Sequence, residues 1–238
     1  MFIPQLDFSE RNLNFTVPSS KSIANRAFIL AALSDGTTRL KGNFQAQDIQ
    51  LMIQALQALG IDVLEESTAL VVKNDGSWRN RTDPLEIFVG NSGTCMRFLA
   101  SLVSLRKAET VLRGVPRMHE RPIRDLVEAL RQLGIKVEYL KRDGYPPIKV
   151  FGSGKVTGGR VVMKGNISSQ FVSSLLLVAA VFDRGLALEI QGKLISQPYV
   201  DMTISFLKQF GVRVQQRQRA YEIPPLASFG LPRAKPRG

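Results

Sequence analysis

Three stretches of the chain are apolar almost without interruption for about a dozen residues: 22–33, 93–105 and 168–181. In the last of them, Ser174-Leu175-Leu176-Leu177-Val178-Ala179-Ala180-Val181 offers no polar face at helical spacing. A helix that is apolar around its circumference is buried on all sides. Other segments alternate. Leu126, Leu130 and Leu133 share one helical face while Arg124, Glu128 and Arg131 lie elsewhere, the signature of a helix packed by one face only. Each apolar stretch follows a short β-rich run: Phe15-Thr16-Val17, Leu85-Glu86-Ile87-Phe88-Val89 or Arg160-Val161-Val162-Met163. Between run and helix lies a polar turn, respectively around Ser19-Ser20-Lys21-Ser22, Asn91-Ser92-Gly93-Thr94 and Ser168-Ser169-Gln170.

This order recurs because the chain is an internal repeat. Ala58-Leu59-Gly60-Ile61-Asp62-Val63, Gln132-Leu133-Gly134-Ile135-Lys136-Val137 and Gln209-Phe210-Gly211-Val212-Arg213-Val214 read alike, with glycines 74 and 77 residues apart. The period is too long for a solenoid and fits three copies of a multi-element unit. In each copy a second strand ends at Gly42, Gly114 or Gly192. A second helix begins near Asp48, Pro122 or Pro198 and stops at the repeat glycine, where a left-handed residue ends a helix. One or two further strands close the unit. The expectation is an α/β (α+β) fold of three sheets outside and three parallel buried helices inside.

Such packing gathers three helix N-termini at one end. Each presents unpaired backbone N–H groups and partial positive charge, which suits an anion. Lys21, Arg26, Arg97 and Arg121 add formal charge beside them. Taken singly, Ser22, Thr94 and Ser168 read as N-caps; together, at equivalent repeat positions, they read as a site. Arg26 and Arg97 stand one turn into apolar helices, which favours ligand contact over snorkelling to the surface. Cys95 reads as a small core residue, His119 as an exposed histidine, and Trp78 within 74–83 as part of a surface loop.

Composition adds less. Of 238 residues, 32 are Lys or Arg and 20 Asp or Glu, a net charge of +12. The segment from Arg213 to the end holds six basic residues and one acid, Glu222, and so carries +5 of that excess. No basic block is interleaved with aromatics, so nucleic acid is not the expected partner. A single cysteine excludes an intramolecular disulfide and a Cys-based zinc cluster. No apolar run suits a membrane span or a leader peptide, and a cytoplasmic protein is expected.

The turns themselves are recognisable. Val17-Pro18-Ser19-Ser20-Lys21-Ser22-Ile23-Ala24-Asn25-Arg26 resembles the N-terminal signature of 5-enolpyruvylshikimate-3-phosphate synthases. So do Gly90-Asn91-Ser92-Gly93-Thr94-Cys95-Met96-Arg97, Arg117-Met118-His119-Glu120-Arg121-Pro122-Ile123, Ser168-Ser169-Gln170-Phe171 and Ile195-Ser196-Gln197-Pro198-Tyr199-Val200-Asp201. The family fold is two lobes of three βαβαββ units each. The resemblance implies transfer of the enolpyruvyl group of phosphoenolpyruvate to the 5-hydroxyl of shikimate-3-phosphate, in aromatic amino acid biosynthesis, with no metal or organic cofactor.

Residue by residue, the resemblance implies that Lys21 sits between the two substrates and that Ser22 and Arg26 hold shikimate-3-phosphate. Ser168, Ser169 and Gln170 bind its phosphate, and Ser196 and Tyr199 complete that pocket. Gly93 lets phosphoenolpyruvate approach a helix N-terminus that Asn91, Thr94 and Arg97 shape, and Arg121 pairs with that substrate. Three residues depart from the usual pattern: Ser19 for Gly, Ser92 for Ala and Phe98 for Pro. They bear on the turn that governs sensitivity to the inhibitor glyphosate.

The family is about twice as long as this chain, and its acid–base Asp and Glu lie in the second lobe. The chain therefore reads as the substrate-binding N-terminal half, inactive alone, with a complementary C-terminal lobe as its expected partner. Its organisation is expected to be an N-terminal segment 1–12, a lobe 13–223 with repeats 13–75, 84–150 and 159–223, and a Pro/Arg-rich tail 224–238 that is disordered or foreign. Two other readings stand beside this one: a UDP-N-acetylglucosamine enolpyruvyl transferase relative, and a non-enzymatic basic module that binds anions.

Overall fold

The structure is a computed structural model and describes residues 20–225 apart from Asp35 and Thr68. The expected strand at Phe15-Thr16-Val17, the segment 1–12, Ser19 and nearly all of the tail lie outside the described residues.

Three helices form the centre. They are α1 (Lys21–Leu33), α3 (Gly93–Leu102) and α5 (Ser169–Ala179). A short 3-10 turn, Val103–Leu105, continues α3. Every residue of α1 from Ala24 to Leu33 is buried, as is every residue of α5 from Phe171 to Ala179. That burial is what an apolar circumference demands.

The parallel alignment of α3 and α5 shows in polar contacts that keep a nearly constant sequence offset. Gln170 Nε2 donates to Thr94 Oγ1 at 3.2 Å, and Ser101 Oγ lies 2.6 Å from Ser174 Oγ one to two turns further on. Small hydroxyls at this contact let the two helices approach while satisfying their own hydrogen bonds. Ser174 also donates to the Arg97 carbonyl at 2.6 Å.

The remaining helices each cover one unit: α2 (Gln47–Leu59), α4 (Arg124–Gln132) and α6 (Gln197–Gln209). Each stops at its repeat glycine. Gly60, Gly134 and Gly211 have φ of 91°, 80° and 81°, the left-handed conformation that glycine adopts without strain. Pro122 falls two residues before α4 rather than at its first position, because a 3-10 turn over Pro116–Glu120 occupies the approach.

Outside lie three sheets. In the first unit β1 (Gly36–Lys41), β2 (Asp62–Glu66) and β3 (Ala69–Asn74) pair in the order β1-β3-β2. The second unit holds β4 (Leu85–Phe88), β5 (Glu109–Arg113), β6 (Lys136–Tyr139) and β7 (Ile148–Phe151), ordered β4-β5-β7-β6. The third repeats that order with β8 (Gly159–Lys164), β9 (Leu186–Gln191), β11 (Ala220–Ile223) and β10 (Gln215–Arg217). In both four-stranded sheets the first two strands are parallel, with Phe88 opposite Arg113 and Lys164 opposite Gln191, because a helix crosses between them. The apolar residues of all three units join in one core.

Two sequence expectations are corrected here. Trp78 is not on a surface loop: it is 1% exposed, in a 3-10 turn over Ser77–Asn80, and its indole N–H donates to the Ala32 carbonyl at 3.2 Å. A polar neighbourhood concealed an aromatic that plugs the C-terminal end of α1. His119 is half-buried rather than exposed, with Nε2 shielded from solvent.

Candidate anion-binding site

The N-terminal turns of the three central helices, with the start of α6, form one connected surface. Ser22 and Thr94 are the second residues of α1 and α3 and cap neither helix. The cap of α3 is Ser92, whose Oγ accepts from the Cys95 N–H at 3.3 Å. Ser168 does cap α5, accepting from the Gln170 N–H at 3.3 Å. Lys21, Asn91 and Ser168 are exposed, Ser22, Thr94, Gln170 and Arg121 are half-buried, and Ser169 is buried.

Arg26 ties α1 to α5 and α6. Its Nε donates to Thr203 Oγ1 at 2.7 Å, and its Nη2 donates to Ser173 Oγ at 3.2 Å and to the Tyr199 carbonyl at 3.1 Å. Nη1 donates to the Ser22 carbonyl at 2.7 Å. The guanidinium is 1% exposed and stacks over the Phe98 ring, 5.4 Å from its centroid. Burial pulls its pKa from 12.5 down to about 10, which leaves it a cation at neutral pH. Arg26 thus reaches the binding surface through the groups it holds in place.

Arg97 ties α3 to α5. Nη1 donates to Gln170 Oε1 and the guanidinium lies 5.1 Å from the Phe171 centroid. Burial, and then the charge of Arg121, lower its pKa to about 10. Arg121 crosses over the start of α3, where its Nη1 donates to the Asn91 carbonyl at 2.9 Å. Space for it exists because residue 93 has no side chain: a Cβ there would stand 2.4 Å from Arg121 Nη2.

Around the three guanidiniums the electrostatics are one-sided. Among the described residues, no carboxylate lies within ion-pair distance of Arg26, Arg97 or Arg121. Gathering buried or half-buried cations without counter-ions is costly, and a bound anion relieves that cost. The backbone adds a second pointer. Ser196, which precedes α6, has φ 61°, a strained conformation for a residue with a side chain. Tyr199, in the first turn of α6, exposes its ring. Among the described residues no group of His, Cys, Asp and Glu is arranged to hold a metal ion, and no helix is long and apolar enough to cross a membrane.

The structure also brings in residues that the sequence did not single out. Asp48, at the start of α2, receives Lys21 Nζ on Oδ1 at 3.4 Å and Ser92 Oγ on Oδ2 at 3.0 Å. Ser173 and Thr203 complete the polar pocket around Arg26. The only signal for Asp48 was its place at a helix start; Ser173 and Thr203 left no signal, since each is a small polar residue among apolar neighbours.

Comparison with known proteins agrees with this architecture. The profile of the family EPSP synthase (3-phosphoshikimate 1-carboxyvinyltransferase) matches residues 11–235, and so extends past residue 223 into the segment expected to be a tail. A 3-phosphoshikimate 1-carboxyvinyltransferase from Actinobacillus pleuropneumoniae is 45% identical over 206 residues, covering 84% of this chain and 48% of that protein. One from Sulfurovum is 43% identical over 208 residues, covering 87% and 48%. Among solved structures, an EPSP synthase from Acinetobacter baumannii superposes with a TM-score of 0.76 at 23% identity, covering 88% of this chain and 46% of that one. An enolpyruvyl transferase from Streptomyces tendae gives 0.60 at 17% identity, with 90% and 49% covered. These structures share the fold. The chain spans about half the length of the curated relatives it matches. By this match and by the motifs at its three helix turns, the chain belongs to the EPSP synthase family.

Proposed function

We propose that residues 1–238 supply the substrate-binding half of an enolpyruvyl transfer from phosphoenolpyruvate to shikimate-3-phosphate. The observation that carries this reading is the set of three guanidiniums, Arg26, Arg97 and Arg121, gathered at converging helix N-termini without a carboxylate counter-ion among the described residues. Two anionic substrates match that demand. Shikimate-3-phosphate fits the α1–α5–α6 side, with Ser22, Ser168, Ser169, Gln170, Ser196 and Tyr199 as ligands and Arg26 behind them. Phosphoenolpyruvate fits the α3 side, where Gly93, Asn91, Thr94, Arg97 and Arg121 converge and Lys21 stands between the two.

In the reaction, C3 of phosphoenolpyruvate gains a proton while the 5-hydroxyl oxygen bonds to C2 and loses its own. The tetrahedral intermediate then loses a C3 proton and expels inorganic phosphate, leaving the enolpyruvyl ether. Lys21 and Arg121 stabilise charge on the carboxylate and the departing phosphate. Lys21 and Arg121 are placed to hold the anions and a guanidinium does not give up its proton at neutral pH, so the acid–base pair is assigned to a complementary lobe. That lobe also closes the cleft against water and strengthens these electrostatics.

The test is phosphate release with both substrates, with and without a second lobe. The polypeptide alone is expected to be silent, and a matching C-terminal lobe is expected to restore turnover. Turnover by the polypeptide alone, abolished by Lys21→Ala, shows that the acid–base groups are misassigned.

A further inference from the structure

Among the described residues, Asp48 is the carboxylate that pairs with Lys21, and its two oxygens go to two different binding turns. Oδ1 faces Lys21 Nζ at 3.4 Å, on the first residue of α1. Oδ2 accepts from Ser92 Oγ at 3.0 Å, and that hydroxyl in turn accepts from the Cys95 N–H as the cap of α3. The Asp48 carbonyl is itself the acceptor of the Cys95 thiol at 3.2 Å. Three helix starts, α1, α2 and α3, therefore meet at one residue. Ser92 is 2% exposed, so its hydroxyl has a fixed orientation rather than a choice of water partners.

The Lys21–Asp48 pair contributes little to folding. Its side chains are 59% and 30% exposed, and solvent screens such pairs. What the contact does is restrict where a long, flexible ammonium can go. A lysine with four rotatable bonds samples many positions unless something holds it, and an anion bridging Lys21 and the α3 turn needs both at a set separation.

We infer that Asp48 is a positioning residue: it fixes the Lys21 ammonium and the Asn91–Gly93 turn relative to each other, and thereby sets the selectivity of the α3 side for a bifunctional anion over a simple one. This rests on the substrate assignment above. A carboxyl-phosphate such as phosphoenolpyruvate has two anionic ends to be held at once. Inorganic phosphate has one and needs only local positive charge.

Three roles for Asp48 separate cleanly. If it only neutralised charge, Asp48→Ala would tighten both anions. If it only supported the fold, both affinities would fall together with the unfolding midpoint. As a positioning residue, its loss weakens phosphoenolpyruvate roughly tenfold, the worth of one hydrogen bond to a charged group. Inorganic phosphate binding is then unchanged or tighter.

The experiment is calorimetric titration of phosphoenolpyruvate and of inorganic phosphate into the full chain, for wild type, Asp48→Ala, Ser92→Ala and the double variant. Expected are a fall of about tenfold in the affinity ratio for either single variant and a non-additive double variant, since both cut one chain of contacts. Asp48→Asn, with one oxygen left to accept, recovers part of the ratio. A ratio unchanged in Asp48→Ala overturns the inference. A second readout needs no ligand. Hydrogen exchange in Asp48→Ala rises in both 21–24 and 92–96, because the carboxylate links them; unchanged exchange at Cys95 overturns the inference even if wild type binds neither anion. In that last case the substrate assignment fails on its own, and exchange still decides the role of Asp48.

Discussion

Replacing Gly93 with alanine separates binding from folding at the start of α3. An ideal Cβ at this position stands 2.4 Å from Arg121 Nη2, 2.6 Å from Cζ and 2.7 Å from Nη1. Comfortable carbon contacts begin near ~3.5 Å, so the guanidinium retreats by about 1 Å. The bond from Nη1 to the Asn91 carbonyl, 2.9 Å in length, does not survive that shift. The backbone has no reason to move, because all three crowding atoms belong to the tip of a flexible side chain. Alanine is also the better helix former, so stability changes by less than about 1 kcal/mol and in the favourable direction. Binding behaves differently. Losing a charge-assisted contact to phosphoenolpyruvate costs about 1.5–3 kcal/mol, or roughly ten- to a hundredfold in Kd. Shikimate-3-phosphate, assigned to the α1–α5 side, keeps its affinity. Calorimetry with each ligand, beside a urea unfolding curve, checks all three statements. Unchanged phosphoenolpyruvate affinity in Gly93→Ala refutes the placement of Arg121 over this turn. So does a loss that merely tracks unfolding.

Other expectations follow from single observations. Burial raises the Cys95 thiol pKa to about 12, so a thiol reagent at pH 8 leaves the folded chain untouched and modifies it fully in denaturant. Burial, with Lys141 and Arg113 nearby, lowers the His119 pKa below its ordinary value of 6.5. Between those two values the unfolded chain holds a proton that the folded chain lacks. Stability therefore falls as pH drops through about 6.5 and levels off below the folded value; His119→Gln flattens that part of a urea-midpoint profile. Thr203→Val keeps the shape but removes the acceptor for Arg26 Nε, and the unfolding free energy drops by about 1–3 kcal/mol. Hydrogen exchange is slowest within 24–33, 95–102 and 171–179, where the central helices are buried, and faster in α4, which packs by one face.

The three central helices were legible because burial on all sides leaves a simple trace: a dozen residues with no polar face. The repeat glycines were legible for a similar reason, since a left-handed helix stop narrows the choice at one position. What escaped were contacts between distant parts of the chain. Arg26 reads as a candidate ligand from its place one turn into α1. Nothing near it in sequence announces that its partners are Ser173 and Thr203, 147 and 177 residues away. Asp48 was visible as a helix start and invisible as the residue that joins two other helices. The burial of Trp78 escaped as well, because its neighbours in sequence are polar. Ser92 shows the complement. The sequence marks it only as a departure from the alanine usual at this turn of the family it resembles, and in the fold its hydroxyl caps α3 and meets Asp48.

The central claim is that three converging helix N-termini bind two anions side by side, and amide chemical-shift mapping tests it most directly. Shikimate-3-phosphate added to the labelled chain should shift resonances at 20–26, 166–173 and 196–200. Phosphoenolpyruvate added afterwards should extend the shifts to 91–97 and Arg121. Shifts absent from these turns at millimolar ligand, or concentrated on the outer sheets, contradict the account.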